Sequence, residues 1–65
     1  MLTAFAFLCL TTSADCEREA TARAIVGEGL TPPGCLMDGY AGAAANAALS
    51  PEDGYRLVIV CRRRH

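Results

Sequence analysis

Four cysteines, at positions 9, 16, 35 and 61 of a 65-residue chain, constrain the fold more than any other feature. A chain this short buries only about 60% of the surface that its unfolded form exposes, so a hydrophobic core alone is marginal and covalent staples carry weight. The intervals between successive cysteines are 7, 19 and 26 positions. Structural zinc sites pair ligands about two to four residues apart, and thioredoxin-type redox sites separate their cysteines by about two residues. The spacing fits neither. An even number of cysteines in a small chain suits a disulfide framework in an oxidising place, outside the cytoplasm or on a released particle. In a reducing cytosol the same residues would be small buried hydrophobes. The sequence favours the oxidising setting and leaves the compartment open.

The apolar fraction of 52% and mean hydropathy of +0.25 exclude a disordered tail, which needs low hydrophobicity. One domain over residues 1–61 is expected, followed by a basic tail at 62–65. Net charge is -1, so no global attraction to DNA or membrane exists. Residues 1–61 carry -4 and Arg62, Arg63 and Arg64 supply +3. The apolar start, Met1 to Leu10, is too short to span a membrane, which takes about 20 residues. As a signal peptide with a cut after Ala14 it lacks the leading positive charge, since no arginine precedes Arg18.

Periodicity orders the elements. Leu2 to Leu10 reads as a strand with Phe5, Phe7 and Cys9 on one face and Ala4, Ala6, Leu8 and Leu10 on the other. Asp15, Glu17 and Glu19 read as first-turn charges of a helix from Ala14 or Asp15 to Val26, stopped by Gly27 and Gly29. Gly27 to Gly34 reads as a rigid loop, and a second helix runs from Gly34 or Cys35 to Leu49. Gly39 and Gly42 weaken that helix by about 1 kcal/mol each, a cost that close packing against another backbone explains. Ser50 to Asp53 reads as a cap followed by a single helical turn. Tyr55 to Cys61 is a second strand, with Arg56, Val58, Val60 and Arg62 on one face.

The expected fold is therefore a small α/β unit ordered strand, helix, helix, strand, with a two-stranded sheet whose strands can run parallel if the Gly27 to Gly34 loop returns to the start of the first helix. Its first expected disulfide is Cys16 to Cys35, and the same arrangement brings Cys9 toward Cys61. A two-stranded sheet that is apolar on both faces is marginal alone, so another copy or a protein partner should complete it. Phe5, Phe7, Val58, Val60, Arg62, Arg63 and Arg64 are the expected contacts.

Chemistry finds little purchase. The lone histidine is the terminal residue, His65, where it cannot be held as a base for a cysteine nucleophile. Glu17 and Glu19, and Glu52 and Asp53, read as helix-start charges, and no phosphate-cradling glycine loop occurs. No catalytic residue, metal or cofactor is expected. Three arginines offer weak, salt-sensitive phosphate binding without base readout.

The run Phe7, Leu8, Cys9, then Asp15 and Cys16, a proline ahead of Cys35 and Met37, and the closing Val58, Ile59, Val60, Cys61, Arg62 resemble short uncharacterised proteins of alphaproteobacteria and their phages. The resemblance implies one framework for all four cysteines and makes a virion component one destination. The functional expectation is a non-enzymatic, disulfide-stapled structural or interaction module in a larger assembly. Two alternatives stand beside it: an exported free domain cut after Ala14, and weak phosphate or nucleic-acid binding through Arg62 to Arg64.

Overall fold

The central strand, β1 (Leu2–Leu10), sends Ala4, Ala6 and Leu8 to one packed face and Phe5, Phe7 and Cys9 to the other, as its sequence predicts, and it pairs on both sides. Along one edge it meets β2 (Ala22–Gly29), along the other β3 (Tyr55–Arg63), both antiparallel, giving the sheet order β2-β1-β3. Helix α1 (Pro32–Ala44) lies across one face of this sheet and is followed by a short 3-10 turn, Ala47–Leu49. The computed structural model describes residues 1–63. Arg64 and His65, and with them the end of the expected basic tail, lie outside the described residues, whereas Arg62 and Arg63 belong to β3.

The fold is thus α+β with a three-stranded antiparallel sheet and one helix, not strand-helix-helix-strand with a two-stranded sheet. The difference begins at the expected first helix. Its cap signals operate over one turn only: the Arg18 N–H donates to Asp15 Oδ1 at 3.4 Å, and the Glu19 N–H to the Asp15 carbonyl at 3.0 Å. Past Ala20 the chain becomes β2, in which Ala22, Ala24 and Val26 pack on the helix-side core while Arg23 and Ile25 are exposed. That alternation has a period of two, and the β-branched Ile25 and Val26 suit it. A bulge in the pairing near Ala4 and Phe5 absorbs one extra β2 residue.

Proline sets where α1 begins. Pro32 and Pro33 occupy its first turn, where a missing N–H costs nothing, and the Thr31 side chain caps it by accepting the Gly34 N–H at 3.2 Å. The expected rigid loop through Gly34 is therefore the end of β2 and the start of α1. The helix ends at Ala44 rather than Leu49, because Asn46 accepts the Ala48 N–H at 3.0 Å and starts the 3-10 turn. Residues 51–54 form no helical turn; the Tyr55 N–H donates to the Glu52 carbonyl at 2.9 Å, and Gly54 takes φ +89°.

The helix approaches the sheet through residues that have almost no side chain. Buried Cys35, Gly39 and Ala43 form its inward face, over Ala4, Ala6 and Ile59. A Cβ on Gly39 would stand 2.8 Å from the Ala4 Cβ, and one on Gly42 would overlap the Val26 carbonyl oxygen. Close packing is indeed why both glycines are there. Replacing Gly42 by Ala gains about 1 kcal/mol of helix propensity but overpacks a contact with backbone, a fault costing about 1–3 kcal/mol when side chains alone must adjust. Because a strand carbonyl cannot swing away, Gly42→Ala should lower the melting temperature by about 10 °C, equivalent to about 2 kcal/mol in a domain this size. An unchanged or raised melting temperature would place the helix further from the sheet than described.

Candidate interaction surfaces

The two sheet faces are closed differently. On the helix side, Leu49 and Ile59 are buried with Ala4, Ala6, Cys35 and Ala43. On the other side Phe7, Cys9 and Cys16 are buried, and Phe5, Ala20, Val58 and Val60 pack against them. This second cluster is closed by the irregular segment 11–21, which folds back over the sheet. Thr21 ties it down, its N–H and its hydroxyl both donating to the Leu8 carbonyl, at 2.8 and 3.1 Å. Arg56 donates to the Ser13 carbonyl at 3.2 Å, and Glu17 pairs with Arg62. Among the described residues Glu17–Arg62 is the one ion pair, and both side chains are partly exposed, so it adds less than about 1 kcal/mol.

The structure therefore brings Phe5, Phe7, Val58 and Val60 together on one face, under the chain's own loop. Arg62 stands opposite Thr3 on that face, Arg63 ends β3 opposite Leu2, and Arg64 lies outside the described residues. A hollow of about 230 Å³ remains on the β2 side, between Phe5, Phe7, Arg23 and Ile25.

All four cysteines are paired, but not as expected. The bonds are Cys9–Cys16, with Cα atoms 5.4 Å apart, and Cys35–Cys61, with Cα atoms 6.3 Å apart. Antiparallel pairing explains the correction to Cys16–Cys35 and Cys9–Cys61. Cys9 stands opposite Arg56 near one end of β1 and Cys61 opposite Ala4 near the other, and the two side chains lie on opposite faces. Each bond instead closes one face: Cys9–Cys16 fastens the loop and Cys35–Cys61 fastens α1 to β3. By the chain-entropy model they contribute about 2.5 and about 3.5 kcal/mol.

The largest apolar side chains of α1 point away from the sheet. Met37 is 75% and Tyr40 57% exposed, Leu36 borders them, and Leu30, just before the helix, is 83% exposed. With Pro33 and Ala44, also exposed, they make the outward face of the helix apolar. Apart from Asp38 the helix is apolar all round, a pattern that belongs in an interior, and here only one side has one. Periodicity alone does not separate this face from the packed one, because Leu36 and Tyr40 recur with Ala43 and Ala44 at the same three- and four-residue spacing. The cue was available: Gly39, Gly42 and Ala43 form a stripe of small residues that only a nearby backbone needs.

No group of three or more His, Cys, Asp or Glu side chains gathers as a metal site among the described residues. A second hollow, about 320 Å³, lies between Thr21, Ala47, Ser50, Glu52 and Tyr55 and holds a single carboxylate. No helix among the described residues is long and apolar enough to cross a membrane. Comparison with family models, curated proteins and solved structures finds no match to this chain.

Trypsin reads the pairing directly, since cleavage after Arg18, Arg23, Arg56 and Arg62 puts Cys9 and Cys16 in one peptide and Cys35 and Cys61 in two. Unreduced digests should contain an internally bonded peptide 1–18 and a linked pair, 24–56 with 57–62. Peptide 1–18 linked to either of the others would refute the described pairing.

Proposed function

We propose that this chain is a non-enzymatic structural or interaction module, a small disulfide-stapled subunit that joins a larger assembly through apolar surface. The observation that carries this reading is the outward face of α1, where Leu36, Met37 and Tyr40 stand in water beside Leu30. The original motive, an unfinished two-stranded sheet, is replaced by a three-stranded sheet with both faces occupied. The need for a partner moves from the sheet to the helix. Scattered exposed apolar residues are ordinary, whereas several large ones contiguous on one element mark an interaction site.

Two disulfides and no free cysteine support an oxidising destination. A phage particle is one such destination, and it rests on the resemblance of the cysteine-bearing segments to phage and alphaproteobacterial proteins. The exported free domain cut after Ala14 fits this structure poorly, because the cut removes the central strand together with Cys9.

Sedimentation velocity on the oxidised protein, across a wide concentration range, tests the module reading. Species heavier than the 6.8 kDa chain are expected, and Met37→Glu with Tyr40→Glu should remove the largest of them while leaving the tryptic disulfide pattern unchanged. A monodisperse monomer at every concentration would count against the reading.

A further inference from the structure

Strand β3 is the free edge of the sheet. Edge strand β2 is partly covered by α1: Asp38 Oδ2 accepts the Glu28 N–H at 2.9 Å, and the Val26 carbonyl lies beneath Gly42. Among the described residues, no hydrogen bond reaches the outward backbone groups of β3 from Leu57 to Arg63. The Thr11 N–H donates to the Gly54 carbonyl at 2.9 Å, in register with the β1–β3 ladder, so Gly54 faces β1. Alternation along an antiparallel ladder then turns the N–H and C=O groups of Leu57, Ile59, Cys61 and Arg63 outward, toward open space.

The charges around this edge are ordered along it. Glu52 and Asp53 precede the strand, and Arg62 and Arg63 end it. Asp53 and Arg63 are both exposed, and neither has an ion-pair partner among the described residues. A strand acidic at its start and basic at its end complements a reversed copy of itself. We infer that the free edge of β3 pairs antiparallel with β3 of a second copy about a two-fold axis at Val58, setting Arg63 of each chain next to the turn that carries Asp53 of the other. This rests on the module reading and names its first partner.

Register follows from the same charges. A two-fold perpendicular to the sheet keeps like faces together, so the axis passes through a residue. Centred on Ile59, the pairing would oppose Arg56 to Arg62, a like-charge pair in direct contact, which destabilises. Centred on Val58, it opposes Val58 to Val58, Leu57 to Ile59 and Tyr55 to Cys61, with Arg56 beside Val60, and leaves Arg63 next to the turn of the other chain that carries Asp53. The arginines thus favour Val58 over Ile59 as the centre. The product is a six-stranded sheet carrying both α1 helices on one side.

Complementary charge reversal tests the inference in the full oxidised chain, with far-UV circular dichroism and the tryptic disulfide pattern confirming the fold of each variant. Arg63→Asp alone sets acid against acid, and Asp53→Arg alone sets base against base. Each should weaken dimerisation at least about tenfold, since two symmetric contacts change from attraction to repulsion. An equimolar mixture of the two single variants should restore the dimer, as should both changes in one chain, because each then regains two opposite-charge contacts. If the single variants dimerise as the original does, or the mixture stays monomeric, the edge pairing is wrong. If Met37→Glu with Tyr40→Glu abolishes all association while charge reversal changes nothing, the edge pairing fails and the module reading stands. A monomer at every concentration defeats both, and the arginines then simply guard the edge against aggregation.

Discussion

The separation between α1 and the sheet governs the rest of this structure, and it is set by residues that contribute little more than backbone. Gly39 rests on Ala4 and Ile59, and Gly42 on the Val26 carbonyl. Small residues facing small residues make a thin layer, well packed but poor in apolar volume. A helix has only two sides, so the bulky side chains of this one are left on the other. Leu36, Met37 and Tyr40 are exposed for the same reason that Gly39 and Ala43 are buried. Fold and candidate surface are two consequences of one contact.

A thin core also explains the staples. The stability of a small domain is the difference of large terms and amounts to about 5–15 kcal/mol at best. Together the two disulfides contribute about 5–6 kcal/mol on the chain-entropy model, a share that the alanine-rich interior could not replace. They act on separate faces. Cys35–Cys61 keeps the helix on the sheet, and Cys9–Cys16 keeps segment 11–21 over Phe7.

The strands β1 and β3, their two-faced alternation and the reason for Gly39 and Gly42 were legible in the sequence, because alternation and paired glycines are local signals with few rival explanations. Segment 15–29 was not. Its acids do cap a turn, and nothing local says that the turn stops at Ala20; the deciding factor is that β1 has a free edge for Ala22–Gly29 to fill. Once that third strand was missed, the pairing direction was lost, and the cysteine pairing with it. Segment 32–44 was legible as a helix, but its orientation was not, since alanine and leucine read alike as apolar until the tightness of the contact separates them. In the candidate site, the alternation that sets Phe5 and Phe7 on one face of β1 and Val58 and Val60 on one face of β3 is legible in the sequence, while the loop that covers them is not, because its acids read as a helix start.

Edge pairing would place two α1 helices on the same side of one sheet and so double an apolar surface whose existence depends on the helix's orientation. Methionine oxidation reports that orientation. Met1 and Met37 are 66% and 75% exposed, so each is a control for the other. Dilute peroxide followed by peptide mass spectrometry should oxidise both at similar rates in the dilute protein, with Met37 alone becoming protected in the heaviest assembled species. A Met37 that resists oxidation in the dilute chain would show the helix turned the other way and would contradict the account at its centre.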